Sequence, residues 1–475
     1  MLENKNEKAP KKISLRDSTI KVVNPATGIK IVRLKKHTKT EIEEKFELLK
    51  SGQTAWAATS FDERLACIQH FFRLLDIEKI DLAETLSSEI GKPFSQALDE
   101  LQGARGRIHF FLNNTKNWLQ NEIMIPHYPT QERLEFEPLG IIAYLSHWSN
   151  PYLAAANYIV PALLTGNTVM YQPAENTLLT AKHICKLLYD AGIPKTVFQN
   201  IICTEKEQEI LLDLPFDAYF FVGTSEKAKI IAQQVAPKFV PLHLELNGKD
   251  AAYIADDVDV KRAAQVVAEG AFYNNGQHFS SVERIYVHEN IYESFVDLLT
   301  HEVREHWKID LPAKRYTKVG AVSKKAHLSF LAKQVADAVE KGAEVRLGGQ
   351  KAARKGWFFE PTILANADET MDIMSKPSLG PIVGIQRVAN DDEALKRMNN
   401  TKYGLTAAVF SEDEYRALYL LERLKVGTTY WNCCDRISPN LPFSGRQQSG
   451  LGASLSYMGI RSFVQPKAFH LRQFL

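Results

Sequence analysis

The sequence predicts an α/β fold built on doubly wound parallel sheets. Three observations carry this. Short apolar runs, such as residues 139–145 and 218–222, have the look of strands buried on both faces. Segments of helical periodicity, such as 177–191 and 225–235, stand between them. The resulting β–α–β–α order argues for parallel strands joined by crossover helices that cover both faces of a sheet.

The elements follow in order. Thr38 with Glu41, and Ser60 with Glu63, form capping-box patterns at two helix starts. Ile42, Phe46 and Leu49 continue the first at helical spacing, and Ile68, Phe72 and Leu75 continue the second. Residues 131–137 alternate roughly and read as a strand. Residues 168–171 read as a strand ending at Pro173, and 242–246 and 251–254 as two more. The second half repeats this alternation, with helices over 263–273 and 292–307 and a strand at 284–288 between them. Strands at 344–347, 382–388 and 406–410 come later. No short repeat of solenoid length and no low-complexity stretch interrupts the pattern. Two α/β units in one chain imply a cleft between them, a common place for a ligand.

Composition narrows the partners. The chain has 475 residues, 45% of them hydrophobic, enough for roughly two to four domains. Its 58 Lys and Arg nearly cancel 56 Asp and Glu, so nothing calls for nucleic acid or an anionic membrane. No apolar run reaches the ~18 residues of a membrane span. Residues 1–19 form a polar tail that mixes Lys with Glu and Asp, the pattern of neither a secretory signal nor a transit peptide. Five scattered cysteines (Cys67, Cys185, Cys203, Cys433, Cys434) make no disulfide framework and no CxxC pair, which points to the reducing cytoplasm. No His/Cys/Asp/Glu spacing suggests a metal site.

A series of short motifs then gives a resemblance. Asn24-Pro25-Ala26-Thr27-Gly28 opens it, followed by Gly91-Lys92-Pro93 and Glu137-Pro138-Leu139-Gly140. Trp148-Ser149-Asn150-Pro151 is similar to W-N-[FY]-P, and Gln172-Pro173-Ala174-Glu175 to K-P-[SA]-E, with Gly166-Asn167-Thr168-Val169 between. Phe221-Val222-Gly223-Thr224 resembles F-T-G-S, and Glu245-Leu246-Asn247-Gly248-Lys249 resembles E-L-G-G-K. Asn274-Asn275-Gly276-Gln277-His278-Phe279 is similar to N-x-G-Q-x-C, with Arg284 at the expected place downstream. Glu360-Pro361-Thr362, Gly380-Pro381, Tyr403-Gly404-Leu405 and Pro442-Phe443-Ser444-Gly445 complete a collinear set. From about Asn24 to Lys467 the chain resembles the aldehyde dehydrogenase superfamily.

The resemblance implies three parts. A Rossmann-like cofactor-binding domain would comprise residues 20–121 and 140–246, and a catalytic-type α/β domain 247–440. Residues 122–139 and 458–475 would form a β oligomerisation arm, whose sheet edges pair across subunits instead of lying exposed. A homodimer or homotetramer is the expected assembly.

The family reaction oxidises an aldehyde to a carboxylic acid. A cysteine thiolate attacks the carbonyl, and an Asn amide with a backbone N–H holds the oxyanion. Hydride leaves to NAD(P), and a Glu activates water to cleave the thioester. Here Phe279 stands at the nucleophile position, with no lone pair to offer. It is expected to pack as a core aromatic. Ser149 stands at the oxyanion Asn position, and Asn150 would replace it only after a shift of the loop. Loss of one such donor costs about 3 kcal/mol of transition-state stabilisation. Glu245 keeps the general-base position.

The implied NAD or NADP site is mixed. Trp148, Pro173, Glu175, Gly223, Thr224 and Gly248 match family positions, and Thr224 opens a helix whose N-terminus attracts phosphate. Gln172 replaces a ribose-binding Lys, Pro377 a ribose-binding Glu, and Leu379 a Phe. Charged anchors bind roughly twice as strongly as neutral ones, so dinucleotide binding is expected to be weak or absent. Cys433 and Cys434 stand, by resemblance, in a loop of the substrate funnel, where a displaced thiol is conceivable; as small buried fillers they are inert. Ser280 and Ser281 flank the lost nucleophile with Glu245 as the nearby base, and His278 is expected to be a wall residue. Two readings follow. One is a catalytically degenerate family member with a binding, regulatory or scaffold role. The other is an active NAD(P)-dependent aldehyde dehydrogenase with a displaced nucleophile.

Overall fold

The computed structural model describes residues 18–125, 130–434 and 437–472. Most of the expected polar tail lies outside the described residues. An antiparallel hairpin, Thr19–Val23 against Lys30–Lys35, comes first. Helices Lys39–Ala58, Phe61–Ile77, Lys79–Ile90 and Phe94–Trp118 follow. Both expected capping boxes form: Thr38 and Ser60 accept the N–H of Glu41 and Glu63, and each glutamate returns to the cap N–H. Each box satisfies two of the backbone donors that a helix start leaves over.

The first sheet has six strands, in spatial order Gly450–Leu451, Leu242–Leu246, Ala218–Gly223, Ile141–Leu145, Thr168–Gln172 and Phe198–Asn200. All pair in parallel except Gly450–Leu451. Strand order reverses between Ile141–Leu145 and Ala218–Gly223, whose consecutive partners lie on opposite sides. Such a switch point opens a crevice at the carboxyl ends of the strands. The helices pack on both faces, as the apolar runs Ile141–Leu145 and Thr168–Gln172, buried at every position, require.

The second sheet has seven strands: Glu344–Leu347, Thr362–Ala365, Ile382–Val388, Val282–His288, Asp250–Ile254, Thr406–Phe410 and Thr428–Trp431. Only the first of these is antiparallel to its neighbour. A third sheet of three strands is antiparallel: Val464–Arg472 pairs with Thr130–Pro138 over nine residues, and Glu122–Ile125 lies on the other side.

The expected strands and helices are present, with ends that coincide or move by at most three residues. The run read as 139–145 begins at Ile141 because Gly140 turns the chain at φ 130°, its N–H held by the Asn167 side chain. A Cβ at Gly140 would lie 2.1 Å from the Asp217 carboxylate, so glycine is required there. The return of Gly450–Leu451 to the first sheet has no signal in sequence: two residues are too short for a strand pattern.

Candidate functional site

A cavity of about 250 Å³ opens at the switch point, between the ends of the first-sheet strands and the second α/β unit. Trp148, Gln172, Pro173, Glu175, Gly223 and Thr224 line it, so the first sheet brings these predicted residues together. Gly248 is not among the lining residues. Its N–H donates to the Phe279 carbonyl, and a Cβ there would strike Asp250 and Leu405.

Thr224 is the N-cap of helix Ser225–Val235. One turn on, Lys227 faces the cavity and pairs with Glu205. Gly223 is demanded by close approach, since a Cβ would lie 2.3 Å from the Phe221 ring. The Gln172 side chain is buried, and its Oε1 has no hydrogen-bond partner among the described residues. A buried acceptor left open is costly, and a ligand donor would relieve it.

The opposite wall is formed by Ser323, Lys324, His327 and Leu379, the residue that stands for a family Phe. Leu379 projects into the cavity from a backbone at φ 48°. Its N–H and that of Ser378 donate to Glu283, and Lys249 pairs with the same carboxylate at 2.5 Å. The His327 Nε2–H donates to the carbonyls of Ser378 and Leu379, both at 2.9 Å. Cys203 also lines the cavity, but burial pushes its thiol up to about 12, so it is protonated near neutrality. The helix N-terminus at Thr224 and the Glu175 carboxylate could hold the adenosine and phosphate portion of a dinucleotide; Pro377, the residue at the implied second-ribose position, is not among the lining residues. The volume also falls below the ~300–1,000 Å³ of typical small-molecule sites.

Phe279 follows a turn that is held from several sides. Asn274, Asn275 and Gly276 all have positive φ, at 52°, 59° and 65°. The Asn275 amide donates to Ala321 and accepts from Gly320, and Gln277 accepts the Ser323 N–H. A Cβ at Gly276 would lie 2.2 Å from the Gly380 carbonyl. The Phe279 ring is half-buried and packs against the first core, 6.0 Å from the Phe443 ring and 4.7 Å from His278.

The neighbouring groups are engaged. The Ser149 hydroxyl lies 3.1 Å from His147 Nδ1 and accepts from Asn150. Asn150 in turn accepts from Lys92 at 2.8 Å, so its amide serves a buried network. Lys92 pairs there with Glu100 and donates to the Ser149 carbonyl. Ser280 lies 2.7 Å from His278 Nδ1, not against Glu245. Burial pushes the His147 and His278 imidazoles down to about 3, which makes both weak bases. Ser281 is buried.

Glu245 sits on strand Leu242–Leu246 opposite Gly450. One carboxylate oxygen accepts from Tyr158 at 2.6 Å and from Ser454 at 2.8 Å. Burial raises its pKa, against those two hydrogen bonds and Arg107. The void beside it is about 10 Å³, at the lower limit for one water. Cys434 is buried and Cys433 half-buried against the core of the second unit, and neither is among the residues that line the cavity at the switch point. Among the described residues no group of three or more His, Cys, Asp or Glu could hold a metal ion.

The aldehyde dehydrogenase family model matches residues 13–469. This chain belongs to the aldehyde dehydrogenase family. It is 30% identical over 459 residues to retinal dehydrogenase 2 of Homo sapiens, covering 94% of this chain and 87% of that one. It is 28% identical over 453 residues to an aldehyde dehydrogenase of Paenarthrobacter nicotinovorans, covering 94% and 98%. Among solved structures, an E. coli NADP-dependent enzyme superposes with TM-score 0.93 at 26% identity, covering 97% and 96%. The betaine aldehyde dehydrogenase of Staphylococcus aureus, solved with NAD+, gives 0.91 at 26%, covering 96% and 92%.

Several residues of this aldehyde dehydrogenase family chain carry no functional signal in sequence. Lys92 falls within a turn motif, yet it is wholly buried and paired with Glu100. Glu283 and His327 hold the Leu379 wall from far along the chain. The only local hint is Glu283 itself, a lone acid in an apolar strand, Val282–His288.

Proposed function

We propose that this aldehyde dehydrogenase family member does not run the family's thiolate chemistry and acts as a homo-oligomeric binding, regulatory or scaffold protein. The observation that carries the reading is Phe279 at the nucleophile position, a side chain that cannot attack a carbonyl. Cys433 and Cys434 are packed away, and Cys203 is held protonated by burial. Three further losses support it. The Ser149 hydroxyl and the Asn150 amide are tied into local hydrogen bonds, and Glu245 is held by Tyr158 and Ser454 beside almost no free space. Weak or absent dinucleotide binding fits the replacements Gln172 and Pro377.

What the site residues still do is bind and position. Thr224 and Lys227 present an N-terminus and a cation, and Gln172 an open acceptor. Glu283, Lys249 and His327 fix the wall that Leu379 presents. A bound NAD(P) would supply hydride acceptance, but the nicotinamide end lacks the anchors to position it for a step. The free cysteines suit a reducing compartment such as the cytoplasm. No helix is long and apolar enough to cross a membrane among the described residues.

The test is aldehyde-dependent NAD(P)H formation by the native chain and by Phe279→Cys, across a broad aldehyde panel. The native chain is expected to be silent. A gain in Phe279→Cys would identify the aromatic ring as the main block. Turnover by the native chain would overturn the reading in favour of an active enzyme with a displaced nucleophile, and Cys433→Ser and Cys434→Ser would then locate it.

A further inference from the structure

Glu283 is the lone acid of strand Val282–His288, which is buried at every position. Its carboxylate holds a peptide unit far along the chain. One oxygen accepts the Leu379 N–H at 2.9 Å, and the other accepts the Ser378 N–H at 2.8 Å. Lys249, 1% exposed, pairs with that second oxygen at 2.5 Å and donates to the Ser378 hydroxyl at 3.1 Å. On the carbonyl side, the His327 Nε2–H is shared between Ser378 and Leu379, 2.9 Å from each oxygen. The next residue leaves no slack. A Cβ at Gly276, on the turn before Phe279, would lie 2.2 Å from the Gly380 carbonyl, and one at Gly380 would lie 2.6 Å from Leu331.

This concentration of bonds holds a conformation that leucine disfavours. Leu379 has φ 48°, in the left-handed region where a Cβ is crowded by the carbonyl oxygen. Such a residue persists only where its surroundings over-determine it. The outcome is a leucine side chain on the wall of the switch-point cavity. Thr224, the N-cap of helix Ser225–Val235, and Glu175 line the same cavity. A helix N-terminus serves a phosphate, and a carboxylate serves the hydroxyls of a ribose. Leu379 offers only hydrocarbon, and with it in place the cavity holds about 250 Å³.

We propose that Glu283 is a positioning residue that sets what this cavity admits: it holds Leu379 so that the adenosine diphosphate half of a dinucleotide enters and the other nucleotide is shut out. This rests on the weak dinucleotide binding proposed above and gives it a second cause. Gln172 and Pro377 remove attraction. Leu379, held by Glu283, removes room. The two causes separate, because a smaller side chain at position 379 restores room and no attraction.

The test is calorimetric titration of the full chain with ADP and with NAD+, repeated on Leu379→Gly and on Glu283→Gln combined with Lys249→Met. Glycine adopts φ 48° without strain, so Leu379→Gly opens the cavity and spares the fold. The paired change removes both buried charges, so neither is left without its partner. The native chain is expected to bind ADP at least as tightly as NAD+. Leu379→Gly should gain about tenfold in NAD+ affinity with ADP affinity unchanged, and the paired change should move the ratio the same way. Added to Leu379→Gly, the paired change should do nothing more, because no side chain is left to position. An unchanged ratio in Leu379→Gly, a folded paired variant with the native ratio, or no ADP binding by the native chain would each overturn the proposal. Leu379→Gly keeps the test decisive if the paired variant fails to fold. NAD+ binding by the native chain about tenfold tighter than ADP would sink the weak-binding reading itself, whereas an unchanged ratio in Leu379→Gly sinks only this cause of it.

Discussion

Lys92 makes three contacts from a side chain with no exposed surface: the Glu100 carboxylate, the Asn150 amide oxygen and the Ser149 carbonyl. Glu100 completes the network by accepting the Tyr152 N–H at 2.8 Å. The pair thus pins the loop that enters helix Pro151–Leu164. Lys92→Met would leave Glu100 buried without its counter-charge, and breaking such a pair costs ~3–5 kcal/mol. Denaturant titration should show that loss. Lys92→Met with Glu100→Leu should recover much of it, because removing both charges also removes the desolvation penalty. Equal destabilisation in the single and double variants would show that the pair's charge is not what holds the loop. At this scale the sequence is legible where function sits in a turn motif. Phe279 and Ser149 can be placed by counting from Gly276 and Trp148. The partners that hold Glu245 cannot. Tyr158 and Ser454 reach Glu245 from 87 and 209 residues away, and no periodicity records such a meeting.

Elements are legible to the extent that their signals are local. Capping boxes at Thr38 and Ser60 involve residues three apart, so both can be read directly. Helix Leu178–Asp190 hides its cap, because its own N-cap residue, Thr177, makes no side-chain cap bond. The helix is capped instead by Glu89, which accepts the N–H groups of Leu179 and Thr180 and the Thr180 hydroxyl. Burial raises the Glu89 carboxyl from 4.5 to about 7, against those hydrogen bonds. Its folded pKa is above its unfolded one, so between those values the folded chain keeps a proton that the unfolded chain has released. Stability from this group is therefore full below about 4.5, falls as pH rises, and levels off above about 7. Asp250, raised to about 8 by burial, acts with the same sign. Comparing Glu89→Gln with the native chain isolates one proton. The native chain should lose stability relative to the variant by about 1.4 kcal/mol per pH unit across that window. A constant difference would mean that Glu89 titrates alike in both states. Lost hydrogen bonds in the glutamine variant shift the offset, not the slope.

Across the whole molecule, the alternation of strands and helices makes both parallel sheets legible, and the cleft follows from them. The arm is implied by resemblance alone, because its strands are half-exposed and weakly patterned: Thr130–Pro138 is half-buried at every position. Strand Val464–Arg472 covers one side of it, and its own outer side pairs with no strand of this chain among the described residues. Such an edge offers a row of backbone donors and acceptors to another chain. Ile123 and Met124 on the opposite strand, and Leu471 at the far end, are also exposed. A homodimer or homotetramer through this arm is the proposed assembly. Phe463, just before the strand, has a separate job: its carbonyl accepts from Asn167, and its ring stacks on Phe220 at 4.5 Å. Truncation after Val464 keeps those contacts and removes the edge. The full chain should sediment as a dimer or tetramer, and the truncated chain as a smaller species with unchanged helical circular dichroism. If the truncated chain sediments like the full one, the interface lies elsewhere on the surface. If the circular dichroism collapses, strand Thr130–Pro138 needs its neighbour to fold, and charge substitution of Ile123, Met124 and Leu471 becomes the way to separate assembly from folding.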